Sequence, residues 1–159
     1  MSGPSPVTIG RLLALPADLD RLVAEAERDG YRFMGRFRDE FLSGANRFDR
    51  PGEILLGAFI GGGLAGVGGL NRDPYARADE VGRLRHLYVL ASARRQRVGE
   101  RLVARLLAAA APAFRVVRLR TTTQAAAFYC RLGFTPVTDA FASHCITVAE
   151  PRSDRPSAP

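Results

Sequence analysis

The chain has 159 residues, 47% of them hydrophobic, which is enough for one ordinary globular domain with a real core and too few to argue for two. The formal net charge is +7, and no lysine occurs, so all 23 basic residues are arginines, whose planar fork is the best match for phosphate and carboxylate. Genomic composition bias would also raise arginine everywhere, so charge alone names no partner. A nucleic-acid reading is disfavoured because the densest cluster, residues 94–105, lacks the stacking aromatics such a surface uses.

"MSGPSP", residues 1–6, is rich in Pro and Ser and is expected to be disordered, as is the tail 150–159; the domain is then residues 7–149. "VTIGRLL" reads as a first strand. "PADLDRLVAEAERDG" starts a helix at Pro16 and Asp18, places Leu19, Leu22, Val23 and Ala26 on one face, and stops at Gly30. A second helix, Tyr31 to Ser43, spaces Phe33, Phe37 and Phe41 four apart, and core packing is the favoured reading of that stripe.

"EILLGAFIGGGLAGVGGLN" holds a literal Gly-x-Gly-x-x-Gly at Gly61, Gly63 and Gly66, but a dinucleotide site requires a helix to begin there. Gly66, Gly68 and Gly69 continue the run, and each interior glycine costs a helix about 1 kcal/mol. The stretch is therefore expected to be a hairpin, Ile54–Ile60 and Leu64–Asn71, turning at "IGGG". Ile54 to Leu70 is free of charge for 17 residues, yet seven are glycine, so a membrane span is not expected.

"VGRLRHLYVL" follows as a fourth strand, Ala91–Arg95 as a connection, and then a helix with Val98, Leu102 and Leu106 inward and Pro112 at its close. Arg94, Arg97, Arg101 and Arg105 are spaced to share its other face. "FRVVRLRT" is a fifth strand. "TQAAAFYCRLGF" is a short helix capped by Thr121, Thr122 or Thr123 and stopped by Gly133, and "TPV" and "HCITVA" are final strands. The order β α α β β β α β α β β makes a mixed α/β sheet with helices on its faces.

Cys130 and Cys145 have neither metal-site spacing nor the number of a disulfide scaffold, and the N-terminus lacks a secretory pattern, so a cytoplasmic protein with reduced thiols is expected. The turn from "LYVL" into "ASARRQRVGERL" carries the chemistry. A strand feeding a helix start aims several backbone N–H groups at one spot, which suits a phosphate or pyrophosphate, and the arginines would add charge-assisted bonds. Gly99 permits close approach of a ligand or a neighbouring element. A helix cap with solvated arginines is the plain alternative.

"LYVLASARRQRVGERLV" resembles the motif of the GNAT superfamily of acyl-CoA-dependent N-acyltransferases, a strand ending in "LYV" followed by Arg/Gln-x-x-Gly-x-Gly/Ala, with Arg94, Val98 and Gly99 in register. Arg97 stands where the first motif glycine is usual; its N–H stays in place if the residue is helical. "AAAFYCRLGF" is similar to the family's Ala-x-x-Phe-Tyr-x-x-x-Gly-Phe through Ala125, Phe128, Tyr129, Gly133 and Phe134. Thr122 occupies a position where the family often has asparagine.

The resemblance implies a mostly antiparallel central sheet of about seven strands, with strands four and five splayed around the pantetheine arm of acetyl-CoA. It places the arm against strand-four backbone at Leu87, Tyr88 and Val89, and the pyrophosphate at Arg94, Arg95, Gln96, Arg97, Val98, Gly99 and Glu100, with Ala125 and Phe128 also at the cofactor. An amine attacks directly, with no metal; a strand N–H polarises the thioester carbonyl, and Tyr129 gives its proton to the leaving thiolate. His86 is a candidate base, with Glu80 acting through water and His144 as further candidates. Transfer of a longer acyl group and a non-catalytic acyl-CoA-binding role are the alternatives. The acceptor is a small-molecule or peptide amine, and an edge strand at the C-terminus is available for a homodimer.

Overall fold

The computed structural model describes residues 5–148; most of the leader and all of the tail expected to be disordered lie outside the described residues. The chain runs β1 (Val7–Arg11), α1 (Leu19–Arg28), α2 (Phe33–Ser43), β2 (Ile54–Ile60), β3 (Gly63–Arg72), β4 (Val81–Val89), α3 (Val98–Ala110), β5 (Val116–Leu119), α4 (Thr123–Arg131), β6 (Thr135–Pro136) and β7 (His144–Thr147). That is the order the periodicities give. The connection after β4 is itself wound, as a 3-10 helix over Ala91–Gln96.

The seven strands form one sheet in the order β1-β2-β3-β4-β5-β7-β6, antiparallel throughout except where β4 meets β5. α3 packs on one face, against β2, β3 and β4, and α1 and α2 cover the other. Gly61 and Gly62 turn the β2–β3 hairpin with φ of 58° and 82°, a left-handed pair that glycine adopts without a Cβ clash. No helix starts among these glycines. Those of β3 make room instead: a Cβ on Gly69 would lie 2.3 Å from the Phe48 ring, and one on Gly68 would lie 3.0 Å from Leu106 of α3.

The aromatic stripe of α2 divides. Phe37 and Phe41 are buried in the core, whereas Phe33 is half-buried at the margin of a cleft. Asp18 precedes α1 as expected, but its carboxylate leaves the helix uncapped and accepts from the Leu64 amide at 2.7 Å, tying the start of α1 to β3.

Two irregularities in β4 position the site. Its pairing with β5 has only three rungs, Val81–Val116, Gly82–Val117 and Arg83–Arg118, although β4 continues to Val89, so the two strands part beyond Arg83. On its other side, Tyr88 pairs with Val67 and Arg85 with Gly69, leaving His86 and Leu87 to oppose Gly68 alone. This is a bulge, and His86 sits in it at φ 59°. The closed end of the seam is pinned by Asp73, whose side chain is fully buried and meets Arg118 at 2.8 Å and Arg83 at 3.5 Å. On the C-terminal side of the sheet β7 is interior and the edge is β6, two residues long and ending in Pro136.

Candidate functional site

Where β4 and β5 part, a cleft of about 1470 Å³ opens, lined by β4, α2, the 3-10 helix, the start of α3, the end of β5 and α4. A site for one small ligand typically spans ~300–1,000 Å³. The cleft has room for two.

At one end lies the turn singled out by its arginines. Arg97 is not helical, as its expected role required; it is left-handed at φ 58° and ψ 25°. This is the conformation that suits a glycine, and an L-residue holds it at a cost of ~1–2 kcal/mol. The carbonyl of Arg97 accepts the Arg101 amide at 3.0 Å, so α3 begins immediately after it. The amides of the first turn, Val98, Gly99 and Glu100, have no acceptor within the helix. The arginine face expected on α3 is correspondingly shorter, because Arg94 and Arg97 precede the helix; Arg101 bonds the Val7 carbonyl at 3.1 Å.

Arg94, Arg95, Arg97, Gly99 and Glu100 line the cleft, whereas Val98 is buried in the core and Gln96 faces a separate small cavity. The Arg94 guanidinium is partly engaged within the protein: it donates to the Val89 carbonyl at 3.1 Å and to the Tyr88 hydroxyl at 3.4 Å, and it lies over the Tyr88 ring. Arg95 and Arg97 are exposed at the cleft. Gly99 serves close approach of an element, since a Cβ there would lie 3.3 Å from Phe128 of α4.

Leu87, Tyr88 and Val89 line the cleft along β4. Past Arg83 the β5-side edge of β4 has no strand partner, so its backbone groups face the gap. The Tyr88 hydroxyl donates to Glu25 of α1 at 2.6 Å, and the Ala91 amide donates to the same carboxylate at 3.1 Å. The Tyr88 bond holds the Glu25 carboxyl below its ordinary range, while burial and that carboxylate push the Tyr88 phenol up.

Across the gap, Thr122 caps α4 by accepting the Ala125 amide at 3.3 Å. Ala125, Phe128 and Tyr129 line the cleft from this helix. Tyr129 packs edge-on against Phe128 and Phe134, and burial pushes its phenol up to about 12. Among the described residues its hydroxyl has no hydrogen-bond partner.

Of the three base candidates, His86 alone lines the cleft. Its ring stacks on Phe37 with centroids 5.1 Å apart and meets Phe48 edge-on, and its Nε2 is buried with no partner among the described residues. Burial, with the Arg85 and Arg36 guanidinium groups nearby, pushes the imidazole down to about 3. Glu80 pairs with Arg115 at the start of β4, and His144 is buried on β7 beside Ser143. Sequence reasoning missed Glu25, Asp73, Arg36, Arg85 and Glu40, whose meaning depends on partners distant in the chain.

Among the described residues no group of three His, Cys, Asp or Glu could hold a metal ion, and no helix is long and apolar enough to cross a membrane. Both cysteines are free.

A family model described as an acetyltransferase (GNAT) domain matches residues 51–136. No curated protein matches the chain by sequence at a significant level. Among solved structures, a protein from Exiguobacterium sp. 255-15 provisionally described as an acetyltransferase superposes with a TM-score of 0.81 at 25% identity, covering 89% of this chain and 93% of its own. Glucosamine-6-phosphate N-acetyltransferase from Arabidopsis thaliana gives 0.60 at 14% identity, covering 87% and 97%. An aminoglycoside 6'-N-acetyltransferase complexed with coenzyme A gives 0.63 at 18% identity, covering 92% and 99%.

Proposed function

The chain belongs to the GNAT acetyltransferase family, and from that premise we propose that it transfers an acetyl group from acetyl-CoA to an amine by direct attack, with both substrates in the cleft together. The observation that carries this reading is the parting of β4 from β5 beyond Arg83, in a gap that ends at the free first-turn amides of α3. The residues present fit acetyl-CoA. A diphosphate would meet those amides and the Arg95 and Arg97 guanidinium groups, and a pantetheine arm would bond the unpaired edge of β4 near Leu87 to Val89.

Acetyl-CoA supplies an activated acyl thioester. The β4 edge orients it, and an amide there stabilises negative charge developing on the carbonyl oxygen. Tyr129, kept protonated by burial, donates its proton to the departing thiolate. His86 stays neutral at physiological pH, and an imidazole whose conjugate acid is so strong, with its Nε2 buried against the aromatic core, is a poor proton acceptor. Glu40, the carboxylate lining the cleft from α2, takes the proton instead. A cytoplasmic setting accords with the two free thiols.

The test is calorimetric titration with acetyl-CoA, followed by thiol release across a panel of amines. Binding at one site per chain and amine-dependent release of CoA support the reading; a folded protein that takes up no acetyl-CoA defeats it.

A further inference from the structure

The cleft has a second charged end. Arg83 and Arg118 pair in register on parallel strands, so Arg85 and Arg120, each two residues further on, emerge on the same face of the sheet. The inner pair is answered: Asp73 bonds both, Asp139 lies 3.3 Å from Arg118, and the Phe141 carbonyl accepts from Arg83 at 2.7 Å. The outer pair is not. Arg120 reaches only the Ala140 carbonyl, and Arg85 has no hydrogen bond or ion pair among the described residues.

α2 adds Arg36, likewise without a side-chain partner among the described residues, and Glu40 is the one carboxylate lining this end. Three arginines thus line this part of the cleft with Glu40 as its one carboxylate. The His86 ring, its Nε2 buried without a partner, lies near Arg85 and Arg36. Such a wall holds positive charge that a bound anion would neutralise with charge-assisted bonds.

We propose that the acceptor is a small amine that also carries a carboxylate or a phosphate, its anion held by Arg36, Arg85 and Arg120 and its nitrogen directed to Glu40. The proposal rests on the acetyl-transfer reading and narrows its substrate class. Polycationic amines are disfavoured by the same wall.

Thiol release is measured on matched pairs: an α-amino acid with its carboxamide, and an amino-sugar phosphate with the parent amino sugar. The anionic member of at least one pair is expected to have a kcat/KM about tenfold higher or more, and the responsive pair identifies the anion. Arg85→Gln, and separately Arg36→Gln on the exposed side of α2, should erase that preference while leaving acetyl-CoA affinity by calorimetry unchanged. Equal kcat/KM within both pairs, preference for an aminoglycoside, or acetyl-CoA binding with no transfer to any anionic amine overturns the proposal and leaves cofactor binding standing. Failure to bind acetyl-CoA overturns the underlying reading together with it.

Discussion

Tyr88 donates its hydroxyl to Glu25 at 2.6 Å, and the carboxylate that receives it also receives the amide of Ala91. One side chain of α1 therefore holds both the end of β4 and the first residue of the turn that leads to α3. Neither residue is a reacting group. Together they tie the arginine-bearing turn to the end of β4.

Glu25→Ala removes both acceptor bonds and leaves the Tyr88 hydroxyl without its partner, which should cost about 1–3 kcal/mol at neutral pH and raise the KM for acetyl-CoA more than it lowers kcat. The carboxyl is held below its ordinary 4.5, so its stabilisation is present above that value and lost as pH falls through its lowered native value. Thermal melts should accordingly show the gap between wild type and variant closing in acid. A gap independent of pH would contradict the assignment.

Tyr129→Phe keeps the packing of the ring and removes only the hydroxyl proposed as the proton donor. Loss of general-acid assistance predicts a fall in kcat of about a hundredfold, with acetyl-CoA affinity by calorimetry unchanged. Because burial pushes the phenol up to about 12, the group remains protonated through the ordinary assay range, and no alkaline decline in kcat should arise from it there.

His86 is kept neutral by its setting. The unfolded chain takes up a proton below the ordinary 6.5, which the native imidazole refuses until about 3, so stability should decline as pH falls between those values, by up to about 1.4 kcal/mol per pH unit. His86→Asn removes the titration and retains a residue tolerant of positive φ. Melts from neutral to acid pH should show a flatter slope for the variant. An unchanged slope would show that the imidazole is not responsible.

Arg97→Gly should move stability and affinity in opposite directions. Glycine relieves the left-handed strain, raising stability by about 1 kcal/mol, while loss of a guanidinium at the cleft weakens acetyl-CoA binding several-fold. Denaturant unfolding and calorimetry measure the two separately. An unchanged affinity beside a raised stability would mean that the Arg97 guanidinium does not serve the cofactor.

What the sequence made legible was local. The hairpin at Gly61 and Gly62, the inward stripe of α3 and a threonine cap on α4, narrowed to Thr122 among three by the structure, all lie within one element or one turn, where periodicity and capping chemistry operate. The positive φ of His86 and Arg97 was not legible, because neither residue type demands it; the bulge opposite Gly68 and the junction before α3 impose it. Asp18 shows the same limit from another side, since its helix-start chemistry is spent on the Leu64 amide, 46 residues away. Asp73 gave no signal at all, as its two arginines lie 10 and 45 residues further along the chain.

Only three rungs join β4 to β5, so the sheet has two parts, β1 to β4 and β5 with β7 and β6, joined beside the Asp73 ion pairs. An acyl donor lying in the gap would complete the ladder that the polypeptide leaves unfinished. Uptake of the proposed cofactor would brace the two parts, and amide exchange at Val89 and Leu119, one on each, should slow in concert when the donor binds.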